Sequence, residues 1–121
     1  MKVEFDNNIP IYIQLVDYLK IYIISGKFKP GTRLPSVRDL ALQTKVNPNT
    51  MQKALAELED LKLIYTERTN GKFVTTDQKL IDKLKCDYAK DLSNKYFYDM
   101  NDIGFSKDEA INYLKELGGD K

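Results

Sequence analysis

Ser36-Val37-Arg38-Asp39-Leu40-Ala41-Leu42-Gln43-Thr44-Lys45-Val46-Asn47-Pro48-Asn49-Thr50-Met51-Gln52-Lys53-Ala54-Leu55 places two helix starts close together. Ser36 stands where an N-cap is wanted, and Asp39 three residues on makes an approximate capping box. A helix follows over about Val37 to Thr44, with Val37, Leu40 and Ala41 on one face. Lys45-Val46 forms the turn. Asn47 is a good N-cap for the next helix, and Pro48 takes its first position, where a missing N–H costs nothing. That helix runs to about Leu61. Met51, Ala54, Leu55, Leu58 and Leu61 line its inner face, which leaves Asn49, Thr50, Gln52 and Lys53 on the outer face of its first turns. Two helices about three residues apart have the spacing of a helix-turn-helix.

Upstream, Asn7, Asn8 and Ile9-Pro10 lead into a helix from about Ile11 to Ser25, stopped by Gly26. Its apolar residues occur nearly all round, enough for two buried faces rather than one. The β-branched run Ile21 to Ile24 permits a strand, but length and the Gly26 stop favour helix. Lys29-Pro30-Gly31-Thr32 is a turn. Downstream the period changes. Leu63 to Arg68 and Lys72 to Thr75 read as strands, and Asn70-Gly71 between them is a hairpin signal. Three helices and a hairpin are the order of a winged helix.

From residue 77 the pattern is helical again. Leu80, Ile81, Leu84, Tyr88, Leu92 and Tyr96 recur at three- and four-residue steps over about Asp77 to Tyr98. Ile103-Gly104-Phe105 breaks this helix. Ser106 with Glu109 opens another through Ala110, Ile111, Leu114 and Leu117, closed by Gly118-Gly119. The expected fold is mainly α with a small β-hairpin. An N-terminal winged helix-turn-helix occupies residues 1–75, and a C-terminal two-helix dimerisation tail occupies residues 76–121.

Bulk composition narrows the function. The chain has 121 residues, 42% hydrophobic and 31% charged, which suits one compact domain with an appendage. Cys86 is alone, so no internal disulfide forms, as in a reducing cytoplasm. The N-terminus does not read as a signal peptide, and the longest apolar stretch, broken by Lys20, is too short for a bilayer. Histidine is absent, and no thiolate cluster, glycine-rich phosphate loop or nominated carboxylate pair offers catalysis or a metal site. An enzyme is therefore remote, and neither cofactor nor metal is expected. Net charge is only +1, but residues 1–75 carry eleven Lys and Arg against eight acids, and residues 76–121 eight against ten. Between Lys27 and Lys53 six basic residues face the single acid Asp39. Such a zone is either a solvated face or a phosphate footprint.

In a helix-turn-helix the second helix enters the major groove of double-stranded DNA. Asn and Gln can hold adenine with two hydrogen bonds, Thr can touch a thymine methyl, and Lys can reach guanine or phosphate. Ser36 and Arg38 are placed to grip the backbone, and Lys72, beside the hairpin tip, to reach phosphate or the minor groove. Each polar residue alone reads equally as solvated surface. Two further readings compete: a winged helix used as a protein–protein adaptor, and an RNA-binding module. The basic zone counts against the first, and the lack of exposed stacking aromatics on the second helix counts against the second.

The run from Ile24 to Ala41 and the run Val46-Asn47-Pro48-Asn49-Thr50-Met51, with Ala54-Leu55, Leu58 and Leu63-Ile64, resemble the signature of GntR-family transcription regulators. The short helical tail resembles the YtrA subfamily. The resemblance implies a homodimeric repressor on an inverted-repeat operator, and it places DNA contacts at Ser36, Arg38, Asn47, Asn49, Thr50, Gln52 and Gly71, beside Lys53 and Lys72 from the residue reading. Many members have arginine at the place of Pro48 and a basic residue at that of Gln52, which implies a different base preference here. Lys62 and Thr69 stand at usual glycines. The tail implies dimerisation through Leu80, Leu84, Tyr88, Leu92, Tyr96, Ile111 and Leu114, consistent with apolar stripes that need cover. A small-molecule effector would sit at the dimer interface or between tail and wing, with Tyr88, Tyr96, Phe97 and Tyr98 available to line its site; the same aromatics read equally as dimer core.

Overall fold

The computed structural model describes residues 1–119. Its elements are α1 (Ile11–Ile24), α2 (Val37–Thr44), α3 (Pro48–Asp60), β1 (Ile64–Glu67), β2 (Gly71–Val74), α4 (Gln78–Asp102) and α5 (Lys107–Gly118). The chain divides into two compact units, Met1–Leu84 and Lys85–Lys121, with the boundary inside α4.

The first unit is a winged helix-turn-helix. α1 buries one stripe, Leu15, Val16, Leu19 and Ile23, and leaves Ile11, Ile13 and Ile21 substantially exposed. Ser36 caps α2 by accepting the Asp39 N–H at 3.0 Å. Asn47 caps α3 by accepting the Asn49 N–H at 2.8 Å, with Pro48 at the first helical position. Lys45 makes the turn between them in the left-handed region, φ 57°, without a glycine. Met51, Leu55 and Leu58 of α3 join Leu15, Leu19 and Leu40 in the core, and Ile81 of α4 is buried with them.

Three expectations change here. Leu61 is not an inner-face residue: it lies beyond the last turn of α3 and is 43% exposed. Lys62 takes φ 66°, and the reversal delivers Leu63 to the core instead. The hairpin loop is Arg68–Asn70 rather than Asn70-Gly71. The Asn70 N–H donates to the Glu67 carbonyl at 3.1 Å, and Gly71, φ 102°, is already paired with Glu67. Finally, the segment after Pro30 is more than a turn. The Gly31 N–H donates to the Val74 carbonyl (2.9 Å), the Val74 N–H to Thr32 (2.9 Å) and the Leu34 N–H to Lys72 (2.8 Å). Residues 31–34 thus cover the free edge of β2 and make the wing effectively three-stranded.

A lysine at φ 66° costs about 1–2 kcal/mol relative to a residue free to adopt that region. Glycine removes this penalty but adds freedom to the unfolded chain. Lys62→Gly should therefore raise stability by a net ~0.5–1 kcal/mol, read as a higher urea midpoint. An unchanged or lower midpoint would contradict the strained turn.

The second unit contains the rest of α4, which continues to Asp102 rather than ending near Tyr98, and α5. Gly104, φ 100°, makes the break. Ser106 and Glu109 form a complete capping box, each accepting the other's backbone N–H. Tyr96 donates its hydroxyl to the Ala110 carbonyl at 2.8 Å, and Phe105 meets Tyr113 edge-on at 5.8 Å. Ala110 is the sole buried side chain of this unit among the described residues. Leu92, Tyr98, Ile103, Leu114 and Leu117 are all exposed.

Candidate nucleic-acid interface

The caps that start α2 and α3 also present the polar side chains. Because Met51, Ala54, Leu55 and Leu58 face inward, the 3.6-residue period sends Asn49, Gln52, Lys53 and Ala56 outward, and all four are exposed. Thr50 is half-buried at the margin of that face. Ala56 was not anticipated as part of the face. Its short side chain lets the middle of α3 approach another surface closely. Lys53 lies over the Tyr12 ring of α1, 4.6 Å from its centroid, and the Tyr12 hydroxyl donates to Glu57 of α3 at 2.7 Å. That hydrogen bond to Glu57 holds the Tyr12 phenol above its ordinary range. The α3 cation is thus held in place by a tyrosine of α1.

Ser36 and Asn47 each use a side-chain oxygen as a cap, which leaves the Ser36 hydroxyl proton and the Asn47 amide N–H groups to donate outward. Arg38 is exposed at the start of α2. With Ala41, Leu42, Lys45, Val46 and Pro48 it lines an open hollow of about 310 Å³. Lys45, read from the sequence as part of the turn and of the basic zone, joins Arg38 there because its left-handed turn sits between the two helices. Neither makes an ion pair among the described residues. A second groove, about 260 Å³, separates the wing from the start of α2, lined by Arg33, Pro35, Ser36, Thr66, Gly71 and Lys72.

The wing departs from expectation in its charge. The Lys72 ammonium donates to Glu59 of α3 at 3.2 Å and to the Thr66 hydroxyl at 3.0 Å, and its side chain is only 20% exposed. It ties the wing to α3 rather than projecting from the tip. The Thr66 hydroxyl (2.8 Å), followed by Lys72, holds the Glu59 carboxyl below its ordinary range. The carboxylate is ionised at neutral pH, and the lowered value extends the tie to more acid conditions. The tie loosens only as pH falls through the folded-state value.

The residues expected to dimerise separate into two groups. Leu80 and Leu84 are partly covered by the N-terminal core. Leu92, Ile111 and Leu114 are exposed, Tyr88 is half-buried, and Tyr96 is engaged with Ala110. The tail's aromatics do not converge on one site: Tyr96 tilts against Phe97 at 5.6 Å, Lys107 lies over Phe97, and Tyr98 is 69% exposed. Among the described residues no helix is long and apolar enough to cross a membrane, and no cluster of potential metal ligands occurs.

The resulting surface combines a polar helix face, two capped helix starts with unpaired cations, and a wing. It suits a polyanion whose groove admits a helix. Comparison with known proteins agrees. Residues 11–74 match the family described as bacterial regulatory proteins, gntR family. The HTH-type transcriptional repressor YtrA of Bacillus subtilis is 31% identical, over 99% of this chain and 93% of its own. A GntR family transcriptional regulator from Listeria monocytogenes superposes with a TM-score of 0.83 at 41% identity, covering 93% of this chain and 98% of that one. The AraR DNA-binding domain in complex with operator ORX1 matches 62% of this chain and 92% of its own, at 26% identity and a TM-score of 0.53.

Proposed function

The chain belongs to the gntR family of bacterial regulatory proteins, and on that premise we propose that it is a cytoplasmic, homodimeric repressor that occupies an inverted-repeat operator. The observation that carries this reading is the outward face of α3, which exposes Asn49, Gln52 and Lys53, together with the exposed, unpaired Arg38 that shares a hollow with Pro48 at the start of α3. Laid in the major groove, α3 brings Asn49 and Gln52 to base edges, with adenine their natural partner. Ser36, Arg38, Asn47 and Thr50 take phosphates on either side, and Gly71 brings the wing backbone close to the duplex.

The dimer is supported by the second unit. A helical pair of this size with one buried side chain cannot hold a core by itself, and units below about 40 residues generally need a partner. Leu92, Ile111 and Leu114, flanked by Tyr88 and Tyr96, are the side chains a second copy would cover. Two-fold symmetry would then set two α3 helices about 34 Å apart, or at another spacing compatible with the groove. Repression fits the name of the YtrA relative. It needs only occupancy of the promoter, with no bound metabolite and no catalytic step.

The experiment is equilibrium anisotropy of the full chain on an inverted-repeat library and a scrambled control at several salt concentrations. Tight selection that weakens steeply with salt is expected. On the selected duplex, Asn49→Ala and Gln52→Ala should each lose about 1–3 kcal/mol of discrimination at one base pair. Arg38→Ala should weaken all sequences alike and reduce the salt slope by about one. If both α3 variants keep the wild-type base preference, α3 is not the reader.

A further inference from the structure

We propose that Arg33, rather than Lys72, is the cation that the wing carries to DNA, with Gly71 as the platform on which its guanidinium lies. This rests on the DNA-binding reading above and gives a specific role to Arg33, which the charge pattern counts only as one of six basic residues between Lys27 and Lys53.

Backbone pairing fixes where Arg33 sits. It bridges Phe73 across the edge of β2, between the hydrogen bonds made by Thr32 and Leu34. Bridged residues share a face of a sheet and neighbours along a strand alternate. Arg33 therefore shares the face of Phe73 and Gly71, whereas Lys72 lies on the other. Along that shared face the arginine reaches towards the tip. A Cβ on Gly71 would fall 3.0 Å from its Nε and 3.4 Å from its Nη2. The bare glycine thus gives the guanidinium its resting place beside the hairpin loop.

The two cations then differ in what they are free to do. Arg33 is exposed and makes no ion pair among the described residues. Lys72 is mostly covered and bonded to Glu59 and Thr66. Moving Lys72 to a phosphate would strip Glu59 of its cation beside a polyanion, whereas Arg33 sacrifices no such partner. A guanidinium is also the more weakly hydrated and bidentate cation, suited both to phosphate oxygens and to a narrow minor groove.

The test uses the full chain on its selected operator, with R33A, K72Q and R38A compared across a salt series. R33A should bind about tenfold more weakly, with a salt slope reduced by about one, and K72Q should stay within about threefold of wild type. Duplexes with A·T-rich and G·C-rich flanks identify the ligand chemistry. A loss concentrated on A·T-rich flanks places the guanidinium in the minor groove, and an equal loss places it on phosphate; either supports the contact. If R33A keeps wild-type affinity and slope while R38A is weakened, the Arg33 assignment falls and the DNA-binding reading stands. A larger loss for K72Q than for R33A also overturns it. If the wild-type chain selects no duplex, the reading of the whole surface fails and this contact fails with it.

Discussion

Leu114→Asp should abolish the proposed dimer and weaken operator binding about 10²–10⁴-fold, the factor gained when a second half-site is engaged from the same particle. Leu114 lies on α5 one helical turn beyond the buried Ala110, and is itself 48% exposed. Leu117 continues the same face and Ile111 flanks it. A carboxylate in the middle of that face would have to be buried without a partner on association, which the apolar contact cannot offset. The side chain lies outside the N-terminal core, so the DNA-reading unit should keep its fold. Sedimentation equilibrium gives the mass and anisotropy the affinity. A variant that remains dimeric with unchanged affinity would show that this face of α5 is not the interface.

The second large effect is on stability. Leu55→Ala should cost about 2–5 kcal/mol, a substantial part of the roughly 5–15 kcal/mol that holds a domain together. Leu55 is fully buried where α3 seats against the core built on Leu15 and Leu19 of α1. Truncation leaves a cavity beneath the helix that carries Asn49 and Gln52. Urea unfolding should show a lower midpoint at similar slope, which separates lost stability from a changed unfolded state. Leu42→Ala is the control. That leucine is 68% exposed, and its replacement should change stability by less than about 0.5 kcal/mol. If the two variants melt alike, α3 is not seated as described.

What could be read from the sequence follows from how far each determinant reaches along the chain. The helix-turn-helix was legible because its signals are local: Ser36 and Asn47 cap within three residues, and Pro48 marks a first turn. The outer face of α3 followed from period alone. Features set by contacts between distant residues were not legible. The strand at residues 31–34 exists only because β2 lies beside it. Nothing near Lys72 in sequence says that Glu59, a turn and a strand away, will hold its charge. The stripe through Leu80 and Leu84 said that something covers these residues but not what, and the N-terminal core supplies part of that cover. Leu61 continues the α3 period three residues after Leu58, but the helix ends at Asp60 and the left-handed Lys62 that follows turns the chain away before that position can face inward.

The backbone pairing of the wing also says where this surface can change without loss of fold. Its base is fastened on both sides, by β1 through the register from Ile64 and Val74 to Glu67 and Gly71, and by residues 31–34 on the other edge. Arg68, Thr69 and Asn70 lie outside both ladders, and all three are exposed. Insertions or replacements there disturb neither ladder nor core. Drift among descendants of this protein should therefore collect at those three positions, while the paired residues that hold Arg33 and Gly71, and the packed face of α3, are inherited intact.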